Sequence, residues 1–412
     1  MSRLEELIQE LCPNGVEYKT LGELGKFYGG ITGKSKDDFK DGNAVFVTYK
    51  NVYANPALDI NPEDRVKIAE GEKQRTLQYG DIIFTGSSET PDECGFSSVV
   101  TEKPIEKLFL NSFCFFFRLN DVNILDPDFS KHVFRSHELR RQIGKTASGV
   151  TRFNVSKSKM AKVKIPVPPI EVQREIVRIM DSFTLLTAEL TAELTARKKQ
   201  YEHYRDVLIL SDMSVPRKTI DEIAIDIYRG SGIKRDEVTE TGIPCVRYGE
   251  IYTSYEISFD KCISHTTKGV VKNPKYFKYG DIIFAITGES VEEIAKSIVY
   301  LGDEQCMAGG DTVVLKHTIE PRYLSYALST SDAQMQKSAG KVKSKVVHSN
   351  IPAIKAISIP VPDIDEQKRI ADILDSFHYL VSDISTGLPA EIAARKNQYE
   401  YYRDKLLSFE EL

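Results

Sequence analysis

From residue 170 to residue 210 the chain contains neither proline nor glycine, and apolar side chains recur at Ile176, Ile179, Phe183, Leu186, Leu190 and Leu194. Steps of 3, 4, 3, 4 and 4 residues put these on one stripe of a helix, with coiled-coil spacing in its first half. Tyr201, Tyr204 and Leu208 continue the stripe. A second stripe reads Ile370, Ile373, Phe377, Leu380 and Ile384, then Ile392, Tyr399, Tyr402 and Leu406. Each is preceded by Ile-Pro-Val-Pro, an extended entry because proline disfavours helix at the residue before it. Asp363 with Glu366 reads as a capping box for the second helix. Forty helical residues span roughly 60 Å and carry more apolar surface than one domain covers, so antiparallel pairing of the two stripes is expected. Outside them, residues 12–165 and 213–359 predict mixed α/β structure. Short strands are expected at 44–49, 81–84, 113–119 and 312–315, with single helices over 128–144 and 321–338.

The chain is also written twice. Tyr-Gly-Asp-Ile-Ile-Phe stands at 79–84 and again at 279–284, Asp-Ser-Phe at 181–183 and 375–377, and ARKKQYEHYRDVL at 196–208 returns as ARKNQYEYYRDKL at 394–406. The matches keep one order, which implies two similar units related by a pseudo-two-fold axis. The helical segments agree almost word for word, whereas 31–78 and 232–275 share little. That contrast suggests two alike scaffolds carrying two unlike binding surfaces. The fold class expected is α+β: two mixed α/β recognition domains, 1–165 and 213–362, joined by long antiparallel helices, 166–212 and 363–412, that form a coiled coil.

The helices differ in one respect. Phe183 and Ala196 are separated by 12 residues, but Phe377 and Ala394 by 16. The first segment is built on a Thr-Ala-Glu-Leu unit, at 187–190 and 191–194, while the second holds Gly387-Leu388-Pro389, read as a break or kink. Four helical residues advance the chain about 6 Å and turn it a net 40° or so. One base pair turns a DNA duplex by about 34–36°. The repeat therefore has the geometry of a length-tuned spacer.

Composition narrows the function. The six cysteines are scattered without a CxxC pair, which speaks against a zinc ribbon or a disulfide framework. There is no apolar run of membrane-spanning length and no secretory leader pattern, so a cytoplasmic location and no membrane partner are expected. The net charge of −5 is not a nucleic-acid signature in itself, so position matters. Between 131 and 164 stand ten lysines and arginines against one acid, Glu138; the second copy carries Lys337, Lys341, Lys343, Lys345 and Lys355. Within these stretches, 146–154 and 338–350 read as flexible basic loops. Arginine and asparagine are the residue types that read guanine and adenine edges, and lysines neutralise phosphates.

Catalytic motifs are missing. Gly30 to Ser35 ends in Gly-Lys-Ser, but a phosphate loop would need glycine where Tyr28 stands; Gly144-Lys145-Thr146 fails likewise at Leu139. No Asn-Pro pair continues as an amino-methyltransferase motif, no HExxH or GxSxG occurs, and Pro91-Asp92-Glu93 lacks a nuclease lysine. His132 and His137 are expected on a helix surface. The pattern is that of a protein that binds and does not catalyse, with no metal or cofactor of its own.

Taken together, the Thr-Ala-Glu-Leu units, the paired QYEHYRD and QYEYYRD segments and the Ile-Pro-Val-Pro helix entries resemble the specificity subunit of type I restriction–modification enzymes. The ending from Gly387 onward is most similar to the IC subgroup. One departure is that Glu366-Gln367 corresponds to Val172-Gln173 in the first copy. The resemblance implies that each variable domain reads one half of a bipartite site in double-stranded DNA. It also implies two modification subunits, which bind S-adenosylmethionine and methylate adenine, docked on the helices, and two motor-nuclease restriction subunits using ATP and Mg. The readers it implies are Lys145, Gly149, Thr151, Arg152, Asn154 and Lys157 in the first copy and Lys341, Lys343, Lys345, His348 and Asn350 in the second. A second tier is Tyr28, Thr32, Lys34, Tyr49, Lys50 and Asn51, with Arg229, Ser231, Lys234, Arg247, Tyr248 and Glu250. The competing expectation is a non-catalytic coiled-coil scaffold whose globular ends bind proteins.

Overall fold

The computed structural model describes residues 2–342, 346–382 and 387–412; Lys343, Lys345 and Ile384 lie outside the described residues. The chain divides into two compact units, Met1–Thr191 with Glu391–Leu412, and Ala192–Ala390.

In the first unit, Ile82–Thr85 lies inside an antiparallel sheet ordered Gly25–Gly29, Cys114–Leu119, Ile82–Thr85, Ser97–Val99. Its side chains alternate between two cores: Ile82 and Phe84 pack with Phe115, Phe117, Phe129 and Phe134, whereas Ile83 packs with Val45, Val52 and Phe116. Burial on both faces is why this strand reads as an unbroken apolar run. The first of these cores is closed by Val172, Ile176 and Met180 from the long helix and by Leu407 near the chain's end. A second sheet runs Arg65–Val66, Ala44–Val47, Leu108–Leu110. The strand expected at 44–49 therefore stops at Val47, because the Thr48 hydroxyl caps a helix, Tyr49–Ala54, by accepting from Asn51 N–H.

The second unit repeats the plan. Its main sheet runs Ala224–Arg229, Thr312–His317, Ile282–Ala285, Ser297–Tyr300, Ser258–Phe259, and Ile282 and Phe284 again face one core while Ile283 and Ala285 face the other. Matching two-stranded ribbons close the units, Tyr18–Thr20 with Lys164–Pro166 and Arg217–Thr219 with Ser358–Pro360.

Two helices expected to be single are each broken. The first is Pro127–Val133 then His137–Gly144, and the second Pro321–Ser329 then Ser331–Ser338. Ser136 and Thr330 restart them, each hydroxyl accepting from the N–H three residues on. At the second stripe, Asp363 does cap Ile364–Ser382 by accepting from Glu366 N–H, but the Glu366 carboxylate turns to Arg369 instead of closing a box.

The helix Ile170–Leu210 is continuous through both Thr-Ala-Glu-Leu units. Thr187 and Thr191 return their hydroxyls to carbonyls four residues back, so the repeat buries no unpaired polar group. In the first unit Phe183 stacks on Tyr402, with ring centroids 5.4 Å apart; in the second, Tyr204 stacks on Phe377 at 5.9 Å. Ile176, Tyr201 and Ile370 are buried, and Ile179, Leu186, Leu190, Leu194 and Ile373 half-buried. Leu380 departs from the expected stripe at 61% exposed. Pro389 sits in the first turn of Gly387–Leu406, where its missing N–H costs nothing.

His132 is not on a surface. It is buried, with Nδ1 2.9 Å from the Tyr399 hydroxyl and Nε2 3.0 Å from Asp181, and burial holds its pKa below the ordinary histidine value. The helix Pro127–Val133 is thereby tied to both long helical segments. No helix among the described residues is long and apolar enough to cross a membrane.

Candidate nucleic-acid interface

The basic loop of the first unit is a hairpin. Ala147 and Ser148 pair with Val155 and Asn154, and Phe153 and Asn154 pair in turn with Ser88 and Ser87. Gly149 turns the chain at φ +151°, and a side chain there would meet the Arg152 carbonyl oxygen at 2.0 Å. The base is fixed: the buried Thr146 hydroxyl donates to Ile143 O, and Val155 N–H to Gly86 O. The tip is open, with Val150 92% exposed and Thr151, Arg152 and Asn154 also exposed. The Arg152 guanidinium lies 6.0 Å from the ring of Phe113. Lys157, its pKa lowered by partial desolvation, reaches over the Phe115 ring at 5.4 Å and lies beside Gly29.

Not every cation of 131–164 serves this surface. Arg135 donates to the carbonyls of Ser97 and Tyr53, and Arg140 to those of Gly95, Asp92 and Cys94. Burial lowers the pKa of both, Arg135 to about 10. They clasp the loop 91–97 from below. Lys131 pairs with Asp128 and Asp181, Arg141 with Glu138 and Lys164 with Glu411. The remaining five, Lys145, Arg152, Lys157, Lys159 and Lys162, are exposed, and all belong to or flank the hairpin.

The second tier separates into surface and support. Thr32 and Lys34 line a groove of about 620 Å³ with Lys36 and Phe113. Lys34 is held by Glu72 at 2.6 Å, an interaction that keeps the Glu72 carboxyl at a pKa of about 2. Tyr28 is half-buried and stacked on Phe116, with the Arg75 guanidinium 5.0 Å from its ring. Tyr49 donates its hydroxyl to Ser87 O, and Lys50 is exposed. Asn51 is buried, donating to Asp59 O and accepting from Asn55, so it fixes the loop after its helix.

In the second unit the loop is anchored by Thr287–Gly288 pairing with Val347–His348. His348 is exposed with Nδ1 3.2 Å from the Thr287 hydroxyl, and Lys341 donates to His348 O at 2.7 Å. Asn350 caps the helix Ile351–Lys355. A groove of about 540 Å³ is lined by Arg235, Arg247, Tyr248, Glu250 and Asp311. Arg229 is paired with Asp311, Ser231 donates to Asn273 O, and Lys234 is exposed near Glu237. Glu250 is buried, accepting from Arg247 and from the Ser264 hydroxyl. It is the third residue of its helix, as Asn51 is of the equivalent one; this N-terminal position, with Thr48 ahead of Asn51, was the legible sign of a supporting role.

Sequence reasoning missed Arg75 and Lys275, which flank Tyr28 and Tyr228 respectively, and the exposed Phe113. Their partners are distant in sequence, and no local pattern marks them. Among the described residues no group of three or more His, Cys, Asp or Glu side chains is arranged to hold a metal ion.

Two α+β units that share one backbone plan, each presenting a sheet-anchored basic loop beside a groove, define a duplicated recognition protein with unlike surfaces. Residues 13–197 and 218–394 both match the family described as type I restriction modification DNA specificity domain, and the chain belongs to that family. It is 33% identical over 264 residues to the EcoR124I/EcoR124II type I restriction enzyme specificity subunit of Escherichia coli, an alignment covering 62% of this chain and 65% of that subunit. The chain thus spans about two thirds of that relative's length. A putative type I restriction enzyme specificity subunit of Haemophilus influenzae is 30% identical over 275 residues, covering 64% of this chain and 68% of its own. A solved chain described with complex assembly and conformational transition of the type I R-M system shares the fold. Its TM-score is 0.61 at 17% identity, over 97% of this chain and 98% of that one.

Proposed function

We propose that this chain is the DNA-reading subunit of a type I restriction–modification complex, with one half of a bipartite, asymmetric site read by each unit. The observation that carries this reading is that each unit holds a sheet-anchored loop and a groove on one backbone plan, with different residues lining the two grooves. Alike scaffolds set alike modes of approach, and different residues on them set different base preferences. Lys145, Lys157, Lys159 and Lys162, all exposed, would neutralise phosphates, and Arg152 and Asn154 would reach base edges. In the second unit Lys341, His348 and the groove residues Arg247 and Tyr248 would make the contacts. Two modification subunits that bind S-adenosylmethionine and methylate adenine would dock on the paired helices, where Leu380 is left uncovered. Two ATP- and Mg-dependent restriction subunits would complete the complex.

The test is a double substitution, Arg152→Ala with Asn154→Ala, in the chain assembled with its modification subunits. Each base contact discriminates by about 1–3 kcal/mol, so selection from a randomised duplex library is expected to lose base preference in one half-site and retain it in the other. Equal loss in both halves would contradict the division between units.

A further inference from the structure

Strand register fixes which residues correspond between the units. Ile82 faces Phe117 and Thr85 faces Cys114 in one; Ile282 faces Leu315 and Ala285 faces Thr312 in the other. Phe113 and Asp311 are therefore equivalent positions, each just ahead of its strand. A single residue ties each to the basic loop. Gly86 N–H donates to Phe113 O at 2.8 Å while Gly86 O accepts from Val155 N–H at 3.0 Å; Ile286 N–H donates to Asp311 O at 2.9 Å while Ile286 O accepts from Ser349 N–H at 2.8 Å. The backbone thus delivers this one side chain to the same place beside each loop.

The side chains delivered have opposite chemistry. Phe113 is 59% exposed and contributes little to the core, yet it lies under the Arg152 guanidinium and on the rim of the groove that holds Lys34 and Lys36. A guanidinium over an aromatic face is restrained while its in-plane N–H donors stay directed outward. That fork matches O6 and N7 of guanine. Asp311, held at φ 58°, instead pairs with Arg229 and faces the groove of Arg247 and Tyr248. Its carboxylate neutralises the nearby arginine and offers acceptors, which match the amino group of cytosine.

We propose that position 113/311 is a specificity determinant: Phe113 seats Arg152 on a guanine of one half-site, and Asp311 puts an acceptor against a cytosine of the other. This rests on the DNA-reading function proposed above. The experiment uses the full chain assembled with its modification subunits, challenged with a randomised duplex library. If the unaltered complex enriches no bipartite sequence, the DNA-reading function falls and this assignment with it. Given bipartite enrichment, Phe113→Ala is expected to relax one guanine roughly tenfold in one half-site only, and Phe113→Tyr to keep it. Asp311→Asn, whose side chain tolerates the left-handed backbone, is expected to relax a cytosine in the other half only. Circular dichroism matching the unaltered chain confirms that the variants fold. Unchanged preferences in folded variants, relaxation at a different base, or loss in both halves at once would overturn the assignment while leaving the DNA-reading function standing.

Discussion

Insertion of one Thr-Ala-Glu-Leu unit after Leu194 is expected to abolish modification at the original site and to create modification at a site whose gap is longer by about one base pair. The reason lies in the helix Ile170–Leu210, which runs unbroken through 187–194. Its threonines bond back along the helix and its leucines lie half-buried, so one further unit continues the same geometry. Four residues advance the axis about 6 Å and turn it a net 40° or so, close to the twist of one base pair. A half-site displaced by one pair forfeits at least two base contacts of about 1–3 kcal/mol each, so preference for the original site is expected to fall by roughly 30-fold or more. Sequencing of modified bases with and without the insertion checks this. An insertion that leaves the gap unchanged would mean the helix does not set the spacing.

The second large effect is on stability, at Gln173. Its side chain is fully buried, accepting from Asp126 N–H at 2.8 Å and donating to the carbonyls of Ile124 and Pro168. Gln367 repeats this in the second unit, accepting from Glu320 N–H and donating to Pro362 O. In each unit one amide locks the entry of a long helix to the start of a domain helix. Gln173→Leu keeps the volume and leaves three backbone groups without this partner, one buried and two part-buried. At about 1–3 kcal/mol for a buried unpaired group, and less for the two that are part-buried, a loss of about 2–3 kcal/mol is expected, read as a lower denaturation midpoint by circular dichroism. A change under ~1 kcal/mol would mean that water or neighbours satisfy these groups.

Much of the architecture was legible because it repeats and because its first long helix has one period and no breaker. Periodicity alone could not see the breaks at Ser136 and Thr330, where a cap looks like any other polar residue. The basic stretch 131–164 was legible as charge but not as geometry. Arg135 and Arg140 spend theirs on carbonyls some 40 residues upstream, and His132 belongs to a buried junction completed by Tyr399 from the far end of the chain. Asn51 and Glu250, whose polarity suggested readers, are buried, and in the sequence only their place at the start of a helix hinted at that. Phe113 and Asp311 were not singled out because their equivalence exists only in the register of the sheets.

The central claim is that two unlike surfaces on one repeated scaffold read two unlike half-sites. It is tested most directly by mapping methylated adenines across the DNA of cells that carry this chain with its modification subunits. The account predicts one motif in two different parts, separated by a gap of fixed length. A continuous motif, two identical halves, or modification without any motif would contradict it.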